Sequence, residues 1–148
     1  MHAQTFKRDA LTGALNRRCF YLDAERYREK LTALISVDLN DLKGINDRYG
    51  HAEGDKAICT VVNCMKRCLL RGCILYRVGG DEFAILCLKR KKAELEQMIQ
   101  SMYAAMEETA YKCAFGLAES MVDEDFETLC ARADVAMYHV KEKKNKAH

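Results

Sequence analysis

Asp38 and the adjacent pair Asp81 and Glu82 are the residues of this chain whose types and placing could do chemistry. Asp38 stands near the end of an apolar, β-rich run at 31–39. Asp81 and Glu82 follow Gly79 and Gly80 between two further β-rich runs, 73–78 and 82–88, as the turn of a hairpin would. If those strands are neighbours, the carboxylates converge. Carboxylates held together repel one another, and a bound cation or a proton relieves the repulsion. A donor set made only of oxygen points to Mg²⁺, which keeps several waters and is held by one or two carboxylates together with substrate phosphates. Glycines beside the acids let a phosphate approach closely, so the group suits nucleotidyl transfer. Taken singly, the same residues also suit a helix cap at Asp38 and a solvated hairpin turn at Asp81 and Glu82.

These positions need a scaffold, and hydrophobic period supplies one. Residues 19–30, with Phe20, Leu22, Ala24 and Tyr27, read as an amphipathic helix, and 31–39 as a buried strand. A short helix is expected over 41–48, a turn over 49–54, and a longer helix over 55–70 with Ala57, Ile58, Val61, Val62, Met65 and Leu69 on one face. Helix is expected again over 91–108, strand over 111–119, and a last helix over 126–143 with Leu129, Ala133, Ala136, Met137 and Val140 inward. The chain has no proline, so glycines and changes of period mark the boundaries. The resulting β-α-β-β-α-β kernel predicts an α+β fold: a mainly antiparallel central sheet flanked by helices, as in ferredoxin-like and palm-type folds.

Composition narrows the function classes. At 148 residues the chain fits one domain with a core of its own, and 49% hydrophobic with 31% charged residues is ordinary for a globular protein. Apolar runs such as 34–37 are too short to span a bilayer, and residues 1–8 lack the apolar stretch of a secretory signal, so the expected compartment is the cytoplasm, with no membrane contact by this domain. A net charge of +2 gives no reason to expect nucleic acid as a partner, although 141–146 is locally basic. The eight cysteines show neither Cys-x-x-Cys nor zinc-site spacing and read as reduced, small apolar core residues.

Four segments, in order, resemble the motifs of the GGDEF domain family. They are Asp9-Ala10-Leu11-Thr12-Gly13-Ala14-Leu15-Asn16-Arg17-Arg18, the run from Val37 to His51 that includes Asp38-Leu39-Asn40-Asp41-Leu42-Lys43, the signature Arg77-Val78-Gly79-Gly80-Asp81-Glu82-Phe83, and Ala131-Arg132-Ala133-Asp134-Val135-Ala136-Met137-Tyr138-His139-Val140-Lys141. The resemblance implies a diguanylate cyclase domain of bacterial second-messenger signalling, which condenses two GTP into cyclic di-GMP and pyrophosphate when two such domains face each other as a homodimer. It implies that Asp38 and Asp81 hold Mg²⁺, two ions per half-site with Mn²⁺ able to replace them, and that the Leu39 carbonyl is a further ligand. Glu82 is then the second acid, beside the metals or the 3′-hydroxyl, with the choice of base between Asp81 and Glu82 open. Asn46 and Asp55 match the guanine-reading pair, and their chemistry suits it, since a carboxylate accepts from N1 and N2 while an amide answers O6 or N3. Lys43 and Lys141 match phosphate-contacting lysines, and Gly79 and Gly80 let the hairpin lie against the nucleotide. Residues 1–8 then read as the remnant of a linker or signalling helix from an upstream sensor, and 9–148 as the domain. The alternative reading is a catalytically weak or silent module that binds GTP or cyclic di-GMP within a larger signalling protein.

Three departures from the family pattern bear on these expectations. Asn40 replaces a second aspartate after Asp38, and Glu142-Lys143-Lys144-Asn145 lacks the glycine and arginine that commonly follow, leaving Lys144 as a substitute without the bidentate geometry of arginine. Where an Arg-x-x-Asp product-inhibition motif commonly stands, this chain has Leu70 and Cys73 with Arg71 displaced by one, so feedback through that site is expected to be absent.

Overall fold

The computed structural model describes residues 6–146, with side chains up to Lys143. Helix α1 is Arg17–Arg26, strand β1 Leu31–Leu39, α2 Leu42–Tyr49, α3 His51–Cys68, β2 Cys73–Arg77, β3 Glu82–Leu88, α4 Lys92–Glu107, β4 Cys113–Glu119 and α5 Phe126–Lys146. The strands form one sheet in the order β2-β3-β1-β4, and every neighbouring pair is antiparallel. This is the α+β, ferredoxin-like arrangement expected from the sequence.

Several boundaries differ from the periodicity, each for a local reason. Helix α1 starts at Arg17 rather than 19 because the Asn16 side chain accepts the Cys19 N–H at 3.0 Å as an N-cap, and it stops at Arg26 rather than 30. No six-residue turn separates α2 from α3. Gly50 alone, at φ +92°, makes the break, and residues 51–54 are already helical. Strand β4 begins at Cys113 rather than 111, since the Thr109 hydroxyl oxygen accepts the Tyr111 N–H at 3.1 Å, its single proton shared between the Met106 carbonyl at 2.8 Å and the Tyr111 carbonyl at 2.9 Å. Asp125 accepts the Thr128 N–H at 2.8 Å at the start of α5, which runs three residues past the expected 143.

Alternation along the strands builds two apolar layers. One face of the sheet, with Ile35, Val37, Ile85 and Phe115, packs on α3 and α4 through Val61, Met65, Leu95 and Met102. The other, with Leu34, Tyr76, Ala84 and Leu86, is covered by Phe20 of α1 and by Leu129 and Ala133 of α5. All eight cysteines are free thiols, and five of them are buried. Among the described residues no helix is long and apolar enough to cross a membrane.

The seating of α5 depends on Gly116. A Cβ there would lie 2.1 Å from the Met137 amide nitrogen and 2.4 Å from the Ala133 carbonyl, both backbone atoms that cannot yield without moving the helix. Gly116→Ala is therefore expected to destabilise the fold by about 3 kcal/mol through overpacking. In urea unfolding this should appear as a lower midpoint at an unchanged slope.

Candidate functional site

The sheet register brings the acids together. Asp38 is the cross-strand partner of Glu82, and the Leu39 N–H donates to the Asp81 carbonyl at 2.8 Å, which ties the end of β1 to the hairpin turn. Val78 and Gly79 both donate their N–H to the Glu82 carbonyl, at 2.9 and 3.2 Å, closing that turn. Arg77 holds it from outside, donating through Nη1 to both Asp9 oxygens at 3.1 Å, through Nε to the Gly79 carbonyl at 3.3 Å and through Nη2 to the Gly80 carbonyl at 2.9 Å. Burial pushes the Asp9 carboxyl up, but hydrogen bonds from Thr12 and the Arg77 guanidinium outweigh it and hold it below the usual carboxylate range.

Asp38 does not cap the helix after it. Asp41 occupies the N-cap position of α2, in the left-handed region at φ +59°, and pairs with Arg48 at 2.8 Å. The Asp38 Oδ2 instead accepts from the Lys141 ammonium of α5 in a close ion pair, while Oδ1 is buried with no hydrogen-bond partner. Burial raises the Asp38 pKa and the facing Asp81 carboxylate adds to the rise, with Lys141 opposing both.

Glu82 is raised too, by burial first and then by Asp81, Asp38 and Asp134, with Arg17 acting against them. A carboxyl whose folded pKa lies above its unfolded value costs stability at pH above both, and the cost vanishes as pH falls through the folded pKa. Glu82→Gln is therefore expected to stabilise the ligand-free protein at pH 7 to 8. Solvent screening of this exposed side chain keeps the gain at about 0.5 kcal/mol. Thermal melts across pH should show the advantage over wild type disappearing on acidification.

The guanine-reading candidates come together because Gly50 folds α3 back on α2. The Asn46 Oδ1 is buried and unpartnered against Gly54, where a Cβ would sit 1.8 Å away, and Asp55 is the next residue, exposed on α3. Lys43 is exposed on α2. Gly79 and Gly80 are not required by backbone conformation, since neither has a positive φ. A Cβ on Gly80 would meet nothing within 4 Å, and one on Gly79 would meet the Glu82 side chain at 3.2 Å. At Gly80 the surface over the turn is thus kept low without a steric reason, while at Gly79 the Glu82 side chain leaves little room for a Cβ. The side chain of Lys144, the expected substitute for the missing arginine, and residues 1–5 of the N-terminal remnant lie outside what the structure describes.

Three participants escaped the sequence reading as individuals. Arg77, Asp9 and Asp134 all stand inside the quoted motifs, but their partners are far off in the chain: Asp9 for Arg77, and Ser36, whose hydroxyl donates to Asp134, for the last. The donors suit a hard cation. They are all oxygen, one is a buried carboxylate oxygen with no partner, and Asp81 faces it. Among the described residues no group of three or more His, Cys, Asp or Glu side chains is assembled to hold an ion.

Comparison with known proteins places this geometry. Residues 6–147 match the family described as diguanylate cyclase, GGDEF domain. The chain is 28% identical over 145 residues to the diguanylate cyclase DgcM of Escherichia coli K12, covering 90% of this chain and 35% of that protein. It is 29% identical over 147 residues to the diguanylate cyclase VdcA of Vibrio cholerae, covering 90% and 43%. It therefore spans well under half the length of these curated relatives. Among solved structures, the coiled coil and GGDEF domain of DgcB from Caulobacter crescentus, in complex with c-di-GMP, superposes with a TM-score of 0.90 at 22% identity, over 96% of this chain and 84% of that one, and shows the shared fold. A microbial GGDEF domain studied with cyclic di-GMP gives a TM-score of 0.79 at 31% identity, over 93% and 94%. With the family match running almost end to end over a sheet that sets Asp38 against Glu82, the chain belongs to the GGDEF diguanylate cyclase family.

Proposed function

We propose that the domain at 9–148 condenses two GTP into cyclic di-GMP, each of two copies supplying half of a symmetric site. The observation that carries the reading is the buried, unpartnered Asp38 oxygen at the strand end where Asp81 and Glu82 converge. The 3′-oxygen of each GTP attacks the α-phosphorus of the other; in each attack the new O–P bond forms as the bond to the bridging oxygen of the β-phosphate breaks, so two pyrophosphates leave and the ring closes. Mg²⁺ held by Asp38, Asp81 and the Leu39 carbonyl, with Glu82 adjoining, supplies charge neutralisation on the triphosphate when bound.

The remaining work belongs to the chain itself. Glu82, whose proton affinity is raised by burial first and then by its acidic neighbours, is suited to accept the 3′-hydroxyl proton, with Asp81 beside it as the other candidate. Asp55 and Asn46 read the guanine edge, and adenine would leave the Asp55 carboxylate without its donors. Lys43 and Lys141 hold phosphate oxygens, and the low surface over Gly79 and Gly80 admits the nucleotide. Two domains face to face bring the reacting groups into line, so positioning contributes much of the rate.

The Lys141–Asp38 ion pair favours a second reading, a regulatory module that binds GTP or cyclic di-GMP without turnover, because the ammonium already neutralises a carboxylate the cation would need. Assay of the purified chain with Mg²⁺ and GTP over a wide protein range separates the two. A cyclase is expected to form cyclic di-GMP at a rate rising faster than linearly with protein. Tight GTP binding with no product, even when a fused coiled coil forces two copies together, would leave the regulatory reading.

A further inference from the structure

Cys73 opens β2, and Cys87 stands directly opposite it on β3. The contacts on either side fix the kind of pair. Leu88 donates its N–H to the Gly72 carbonyl at 2.9 Å, and at the turn end of the hairpin Val78 donates to Glu82 at 2.9 Å. Hydrogen-bonded and non-hydrogen-bonded pairs alternate along an antiparallel ladder, so Cys73 and Cys87 occupy a non-hydrogen-bonded position. Residues paired there approach most closely, with Cα atoms about 4.5 Å apart. That separation lies within the span of about 4.4–6.8 Å that a disulfide bridges. The two side chains lie in the same buried layer, and the Cys87 thiol donates to the Ile85 carbonyl at 3.7 Å. Both are free thiols.

The partners are unequal in a way that gives each a role. Cys73, at the start of an edge strand, is 7% exposed, whereas Cys87 is 0% exposed. The facing Cys87 thiol lowers the Cys73 pKa against the effect of burial, with the Arg90 guanidinium assisting and Glu94 opposing. The neighbouring Cys73 sulfur and burial raise Cys87. Burial pushes Cys68 and Cys130 up as well, Cys130 to about 11. A thiolate attacks peroxide and a thiol does not, so within the pair Cys73, the more exposed sulfur, is the one placed to meet peroxide first.

We propose that Cys73 and Cys87 form an oxidative modification site, at which peroxide closes a reversible disulfide across the open end of the hairpin whose turn carries Asp81 and Glu82. The Cys73 thiolate attacks hydrogen peroxide, giving a sulfenic acid and hydroxide. The Cys87 sulfur then attacks the Cys73 sulfur; the S–S bond forms, the S–O bond breaks, and the oxygen leaves as water with the Cys87 proton. The pair loses two electrons, and the peroxide takes them.

The test treats the purified chain with equimolar hydrogen peroxide, alkylates remaining thiols and maps unreduced peptides by mass spectrometry. A Cys73–Cys87 linked pair is expected, two hydrogens lighter than the reduced peptides and collapsed by dithiothreitol. The oxidised protein should melt about 5 °C higher than the reduced one. With the resolving thiol removed, Cys87→Ala should accumulate a dimedone-reactive sulfenic acid at Cys73, and Cys73→Ser should show neither the link nor the melting shift. Should Cys87→Ala not fold, the wild-type linkage and the Cys73→Ser loss decide the matter alone. Peroxide treatment that leaves Cys73 and Cys87 alkylatable while other cysteines oxidise, or that links Cys73 elsewhere, would overturn the proposal.

Discussion

Asp38→Asn is expected to lower cyclic di-GMP formation by about a thousandfold while leaving the fold intact, the scale seen when a site loses a group that stabilises charge in the transition state. The change is isosteric, so packing at the end of β1 is kept. What goes is the charge on the carboxylate whose Oδ1 is buried and unpartnered. Lys141, 31% exposed, can turn its ammonium to water once its partner is neutral. Chromatography of the product, circular dichroism and Mn²⁺ titration by calorimetry separate the contributions: turnover and ion binding should fall together at unchanged ellipticity. Asp41→Asn is the matched control. Its carboxylate is exposed and engaged with Arg48, and its loss should change turnover by less than about threefold, as expected for an exposed ion pair.

Arg77→Ala is expected to cost about 2–3 kcal/mol of stability and, in addition, to weaken GTP binding. The guanidinium joins the N-terminal motif to the signature turn, beside the Arg77 backbone N–H that donates to the Leu15 carbonyl at 2.8 Å, and its side chain and that of Asp9 are 16% and 21% exposed. Removing it leaves the Asp9 carboxylate without its cation and the Gly79 and Gly80 carbonyls without their donor. Arg77→Lys should recover little, because an ammonium cannot reproduce a bidentate contact and two carbonyl contacts at once. Urea unfolding of Arg77→Ala, Asp9→Asn and the double variant should give a coupling energy above about 1 kcal/mol, since the residues share one network. GTP titration at a denaturant-free concentration then reports the effect on the turn itself. Arg77→Ala should lose affinity beyond any fall in its folded fraction.

What the sequence determined by itself was local and ordered. The apolar, β-rich run at 31–39 is β1 residue for residue, and 82–88 is β3, because burial of a central strand leaves little freedom in where it starts and stops. The family motifs sit on the elements their types required, and the carboxylates could be named from oxygen chemistry alone. Boundaries failed where a single interaction overrode the period: Asn16 extended α1 backwards, Gly50 compressed the expected turn to one residue, and Thr109 diverted Tyr111 from the sheet.

Only the tertiary structure decided which distant residues meet. The convergence of Asp38 with Glu82 was conditional on two strands being neighbours in one register, and a slip of one residue would have turned Asp38 to the opposite face. Lys141 could be read as a solvated charge until α5 was seen docked on Gly116, which carries its ammonium to Asp38 across 103 positions of sequence. Arg77 with Asp9, and Cys73 with Cys87, were equally invisible as pairs. Local periodicity reports how each segment hides its apolar face. Partners across the sheet are set by the packing of all segments at once, which no window of sequence contains.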